Sequence, residues 1–95
     1  MPITRQNPAS MASVSDLRRQ VDAVDRQIVE LLGRRTTLVK QVMSHLDEDE
    51  IVDKDREAQV LSNWLEQGFD FDLDEVALEK VTKAVMELGR KAKDN

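Results

Sequence analysis

The chain contains no cysteine and only one histidine, His45. Without cysteine there are no disulfides and no thiolate metal sites, which fits a reducing compartment. A single histidine also makes a histidine-based zinc site improbable. We therefore expect neither a disulfide nor a metal site.

Turn-forming and aromatic residues are scarce as well. The 95 residues include three glycines, two prolines and 3% aromatic residues, with no tyrosine. This composition disfavours sandwiches and barrels, which need many turns and aromatic-rich strands. An apolar content of 40% is enough for one small core. We predict one all-α domain over residues 14–95, preceded by a disordered tail over residues 1–13, which holds both prolines.

The net charge of −5 argues against a general nucleic-acid or anionic-membrane surface, because either would require a basic field. No apolar run is long enough to span a membrane, and the first thirteen residues lack the hydrophobic core of a secretion signal. We expect a cytoplasmic protein. Any anionic ligand would have to be held by clustered arginines and lysines in a sheltered pocket.

One long helix dominates the pattern, from about Asp16 to about His45 or Leu46, with Ser15 as the expected N-cap. Its apolar residues recur at spacings of three and four: Leu17, Val21, Val24, Ile28, Leu31, Leu38 and Val42. Arg35 stands where this series calls for another apolar residue. A guanidinium stays charged, so a buried one needs an anionic partner from the protein or from a ligand. Gly33 interrupts the same helix, which indicates close approach of another group.

Two shorter helices should follow. Asp53 can cap a helix that begins near Lys54 and stops at Gly68. Asp72 and Glu75 form a capping-box-like pair ahead of a third helix that runs through Ala92. The long apolar stripe outreaches both short helices, so a helix-mediated homodimer is expected.

Two basic residues on the short helices have ordinary interpretations. Arg56 shares a helix face with Val60 and Trp64. This spacing alone predicts an arginine whose aliphatic stem packs on Trp64 while its guanidinium reaches water. Lys93 reads as a C-terminal lysine that complements the helix dipole.

Three runs, residues 17–25, 31–38 and 53–61, resemble the all-helical chorismate mutases. The similarity covers nearly everything from about Ser15 to Lys93. It implies an intertwined homodimer of three-helix protomers, in which each active site is lined mainly by one protomer and completed by the first helix of the other.

The resemblance also implies roles for individual residues. Arg35 and the partner's Arg18 would bind the two substrate carboxylates. Arg56 would lie in the same pocket, and Asp53 and Glu57 would help to bind the substrate, Glu57 at the ring hydroxyl.

The implied reaction is the rearrangement of chorismate to prephenate in the shikimate pathway of aromatic amino acid biosynthesis. This isomerase reaction is an intramolecular pericyclic shift that needs no nucleophile, metal or cofactor. Such a catalyst holds its substrate in reactive geometry and stabilises the negative charge that develops on the ether oxygen.

The sequence departs from the family pattern at three positions. Leu46 stands where the family usually has a lysine, eleven residues after Arg35. Gly89 occupies a serine position, and Lys93 occupies a glutamine or glutamate position. We hypothesise that Lys93 supplies the charge lost at Leu46, because an uncompensated loss would leave an almost inactive enzyme.

Other interpretations remain open. A relative of the same fold could cleave isochorismate to salicylate and pyruvate, or rearrange an amino-substituted chorismate. A non-catalytic helical dimer, regulatory or structural, belongs to a different class. Some small family members also depend on a partner enzyme of the aromatic pathway.

Overall fold

The structure, a computed structural model, describes residues 13–47 and 53–92. These residues form three helices: α1 (Val14–Met43), α2 (Lys54–Phe69) and α3 (Glu75–Ala92). The described residues contain no strand, and the predicted all-α class is confirmed. Within these ranges no helix combines the length and the apolarity that crossing a membrane requires. The predicted tail falls almost wholly on residues 1–12, which lie outside the described residues.

The first helix begins with a capping box at Ser13. The Ser13 hydroxyl accepts a hydrogen bond from the Asp16 backbone N–H at 3.0 Å, and the Asp16 carboxylate accepts one from the Ser13 N–H at 3.3 Å. This reciprocal pair satisfies two backbone donors at the helix start. The expected cap at Ser15 was wrong, because Ser15 already lies inside the first turn.

The chain divides into two units, Met1–Leu31 and Leu32–Asn95. In the first unit the apolar stripe lies on the surface: Leu17, Val21, Val24, Ile28 and Leu31 are each between 48% and 57% exposed. No residue anywhere in α1 is buried. An exposed apolar stripe of this length is typical of a helix that packs against another molecule.

The core of the second unit lies between α2 and α3, which pack against each other. Its buried apolar side chains are Val60, Val85 and Ala92. Thr82 is fully buried, and its hydroxyl donates to the Leu78 carbonyl oxygen at 2.7 Å, so no polar atom of this side chain is left unsatisfied. This core fixes α3 relative to the start of α2.

Gly68 lies inside α2, not just past its end as predicted, and it is buried. A Cβ at this position would collide with the Leu78 side chain of α3. The glycine therefore permits close packing of the two short helices, and α2 continues through Phe69.

The turn into α3 uses a different cap from the one predicted. Asp74 accepts a hydrogen bond from the Ala77 backbone N–H at 2.8 Å, which makes Asp74 the N-cap. Asp72 instead adopts a positive φ of 57°, a left-handed conformation that aspartate tolerates better than most residues. The expected pairing of Asp72 with Glu75 was therefore wrong.

Candidate active site

A cavity of about 710 Å³ lies in the second unit. Its walls come from the C-terminal part of α1 and the turn after it, the first two turns of α2, and the C-terminal part of α3. The volume is in the range of pockets that hold small organic ligands.

The lining of this cavity is locally positive. Four of the lining side chains are cations and three are carboxylates: Arg35, Lys54, Arg56 and Arg90 against Asp53, Asp55 and Glu57. The whole chain carries a net charge of −5, so this excess of cations opposes the overall sign. Clustered cations in a partly enclosed site favour an anionic ligand.

Arg35 reaches the cavity from α1. It shares a half-buried face with Leu32, Val39 and Met43, whereas Leu38 lies on the exposed edge of the helix. Arg35 is itself only half-buried, so the sequence pattern overstated its burial. Across residues 13–47 and 53–92, the structure gives its guanidinium no hydrogen bond and no ion pair. The anionic partner that Arg35 calls for is therefore not a carboxylate among the described residues.

Gly89 of α3 lies next to Arg35 and is buried. A Cβ on Gly89 would lie 3.6 Å from Arg35 Nη1 and 3.2 Å from Val39 Cγ1. The second distance is tight enough that Val39 would have to move. Gly89 therefore belongs to the cavity wall beside Val39 and Arg35, and it offers no side chain to bind a ligand.

The start of α2 places three of the predicted residues at the cavity. Asp53 is the N-cap, as predicted, and its carboxylate accepts a hydrogen bond from the Arg56 backbone N–H at 3.0 Å. The Arg56 guanidinium donates to Gln59 Oε1 at 2.7 Å, and the residue lines the cavity together with Val60. Glu57 follows on the same turn.

Arg90 lines the same cavity and was not singled out from the sequence. Its Nη1 donates to Glu57 Oε2 at 2.6 Å, which joins α3 to α2. The sequence did contain a signal for Arg90. Gly89 and Arg90 follow Met86 by three and four residues, so all three lie on one face of the helix. The identity of the partner was not readable, since Glu57 is 33 residues away.

A family model for chorismate mutase type II matches residues 17–93 of the chain. The chain belongs to this family. The matched span includes all the residues that line the cavity. No curated protein and no solved structure matches the chain.

Leu46, for which the resemblance implies a lysine, is one of the residues that line the cavity. Val42, Met43 and Met86 also line it, so part of the lining is apolar. A ligand atom in contact with these side chains would meet methyl and thioether groups.

Lys93 and Arg18 complete the set of predicted site residues. Lys93 lies outside the described residues. Arg18 is an exposed residue of the first unit and is described apart from the cavity. The part of the chain that the structure describes holds no group of three or more histidine, cysteine, aspartate or glutamate residues suited to a metal ion.

Proposed function

We propose that this member of the chorismate mutase type II family converts chorismate to prephenate. The observation that carries the proposal is the Arg35 guanidinium, which lines a locally positive cavity and has no carboxylate partner among residues 13–47 and 53–92. A substrate carboxylate is the natural counter-ion for such a group, because arginine presents a planar fork of donors to two oxygens.

The proposed reaction requires that the substrate be positioned and that developing charge be stabilised, and it needs no nucleophile. In our proposal Arg35 and the partner's Arg18 hold the two carboxylates, while Asp53, Arg56 and Glu57 orient the ring. Holding the enolpyruvyl side chain over the ring converts a rare conformer into the bound one. A cation near the ether oxygen then stabilises the charge that develops there. We assign that role to Lys93, which would offset the absence of a lysine at Leu46.

The proposal includes a homodimer, because the partner's Arg18 completes the site. Its support is the exposed apolar stripe on α1, with residues such as Val24 and Ile28 about half-exposed in the single chain. Burying such a stripe against a second copy would remove apolar area from water. This burial stabilises the dimer by roughly 25 cal/mol for each Å² of apolar surface.

The decisive experiment follows the ultraviolet absorbance of chorismate with purified protein and with Arg35→Ala. We expect the parent protein to consume chorismate and Arg35→Ala to lose about 100-fold or more in kcat/KM, since an oriented cation is removed from a preorganised site. Arg34→Ala is the matched control, because Arg34 is exposed and does not line the cavity. Absence of turnover by the parent protein, with prephenate undetectable, would contradict the proposal.

A second candidate function rests on Leu46 and Gly89. Both line the cavity, and neither offers the polar side chain that the resemblance implies at its position. An altered set of contacts could suit isochorismate, with cleavage to salicylate and pyruvate, or an amino-substituted chorismate. Product analysis with each substrate separates these reactions from the mutase reaction.

A non-catalytic relative would behave differently again. Arg35→Leu would then stabilise the fold, because apolar packing would replace a half-buried charge that has no partner among the described residues. If the chain binds chorismate without converting it, the same substitution would abolish binding while turnover is absent from the start. Calorimetric titration with chorismate, paired with thermal unfolding of both proteins, distinguishes these cases.

A further inference from the structure

The ion pair between Arg90 and Glu57 differs from the other ion pairs of the described residues. Those others lie within single helices and join residues three or four apart: Arg19 with Asp16, Lys83 with Glu79, and Lys91 with Glu87. The pair between Arg90 and Glu57 joins two helices, and both residues line the cavity. It is therefore placed to affect a ligand.

Only one oxygen of Glu57 is occupied by this contact. Arg90 Nη1 bonds to Oε2 at 2.6 Å, and no other side-chain bond to Glu57 is present among residues 13–47 and 53–92. The Oε1 atom can therefore still accept a hydrogen bond from a ligand. A glutamate has three rotatable side-chain bonds, so an arginine fixed to one oxygen also restricts where the second oxygen lies.

Arg90 also decides the sign of the cavity lining. With Arg90 there are four cations against three carboxylates, and without it the two signs would balance. An unneutralised Glu57 would repel a ligand that carries two carboxylates. The ion pair lets Glu57 serve as a hydrogen-bond acceptor without that repulsion.

We infer that Arg90 is a positioning residue, which holds Glu57 so that Oε1 accepts a hydrogen bond from the ring hydroxyl of the substrate. This inference rests on the proposed chorismate mutase function. Arg90 acts through Glu57 and not by its own contact with the reacting atoms. It gives the third helix a task in binding that does not depend on Lys93.

The test is a double-mutant cycle on chorismate turnover with Arg90→Met, Glu57→Gln and the two combined. We expect Arg90→Met to lower kcat/KM about tenfold. This is the low end of the effect of losing a charge-assisted hydrogen bond, because the Arg90 and Glu57 side chains are 42% and 34% exposed and water screens their charges. In the Glu57→Gln background the same change should alter kcat/KM less than about twofold, because Arg90 then has no carboxylate to position. Arg90→Lys should restore part of the activity.

Lys91→Met is the matched control, since it removes the same charge from the neighbouring residue, which pairs with Glu87 and does not line the cavity. We expect it to leave kcat/KM within about twofold of the parent. Circular dichroism melting checks that each variant folds, and if Arg90→Met does not, Arg90→Gln enters the same cycle.

Two results would overturn the inference. One is an active parent protein whose kcat/KM is unchanged by Arg90→Met. The other is a full multiplication of the Arg90→Met and Glu57→Gln effects, which would mean that Arg90 acts independently of Glu57. A parent protein without chorismate turnover would instead contradict the proposed function itself.

Discussion

Arg35 of α1 and Gly89 of α3 are fitted to each other: Arg35 Nη1 lies 3.6 Å from the position that a Cβ on Gly89 would occupy. That is an ordinary van der Waals distance, so a methyl group at position 89 would touch the guanidinium without displacing it. Val39 Cγ1 lies 3.2 Å from the same position and would have to move.

Gly89→Ala tests this fit. The new methyl group would lie 3.2 Å from Val39 Cγ1 and would displace Val39, on the face of α1 that carries Arg35, by a few tenths of an ångström. We expect kcat/KM for chorismate to fall roughly three- to tenfold, because small misplacements of a binding group are costly in a preorganised site. Steady-state kinetics give the answer. The fold should persist, since alanine is the better helix former.

Gly33→Ala is the companion substitution, because nothing in the described chain lies within 4 Å of a Cβ there. The close approach predicted from the sequence is thus not made within the described chain. We expect this change to raise the free energy of unfolding by about 0.5–1 kcal/mol. A loss of stability in urea titrations would instead indicate that a second copy approaches the helix at Gly33.

Asp53 caps α2, and the proposed function also gives its carboxylate a part in substrate binding. Asp53→Ala should lower the free energy of unfolding by about 1 kcal/mol, whereas Asp53→Ser should keep most of the cap. If the carboxylate also binds substrate, both variants will raise KM to a similar extent. Asp74→Ala is the control, since it removes the cap of α3 away from the cavity. Normal KM in Asp53→Ser would restrict Asp53 to a capping role.

Leu46→Lys tests the charge balance of the cavity. We expect kcat to rise about tenfold or more, because a cation would then reach the cavity from the turn after α1 and stabilise the developing charge. The gain should be larger in a Lys93→Ala background if Lys93 now supplies that charge. Equal gains in both backgrounds, with Lys93→Ala as active as the parent, would refute compensation by Lys93.

Ile28→Glu tests the proposed dimer. Ile28 lies in the exposed stripe of α1, and a buried charge at an apolar interface is strongly unfavourable. We expect sedimentation to show the parent protein at about twice 10.9 kDa and the variant at the monomer mass, with activity lost. Gln27→Glu adds the same charge on the neighbouring exposed residue and should leave both unchanged. A monomeric but active parent protein would refute the dimer.

Local features of this chain were predicted well where the deciding groups are neighbours in sequence. Asp53 was correctly predicted as a cap, and the backbone N–H that it accepts from belongs to Arg56, only three residues along the chain. At α1 the predicted cap was Ser15, whereas the cap is Ser13, which has an aspartate three residues on, the spacing that a capping box requires. The sequence contained that signal.

The rest depended on contacts between helices. Gly68 was interpreted as a helix stop, yet its place inside α2 is explained by Leu78, a neighbour that only the packing of α2 on α3 supplies. The partnership of Arg90 with Glu57 depends on the register between the same two helices. Periodicity identifies which face of a helix a residue occupies, but not which residue of another helix it will meet.

The cavity draws its walls from all three helices, so an anion that bridges them acts as a removable cross-link of the fold. A ligand at one hundred times its dissociation constant adds about 2.7 kcal/mol to stability, which is a large share for so small a domain. The fraction of unfolded chain would then fall as the concentration of this ligand rises. The rate of degradation by cellular proteases would fall with it. Under the proposed function, the lifetime of the protein in the cell would therefore lengthen as the supply of its substrate rises.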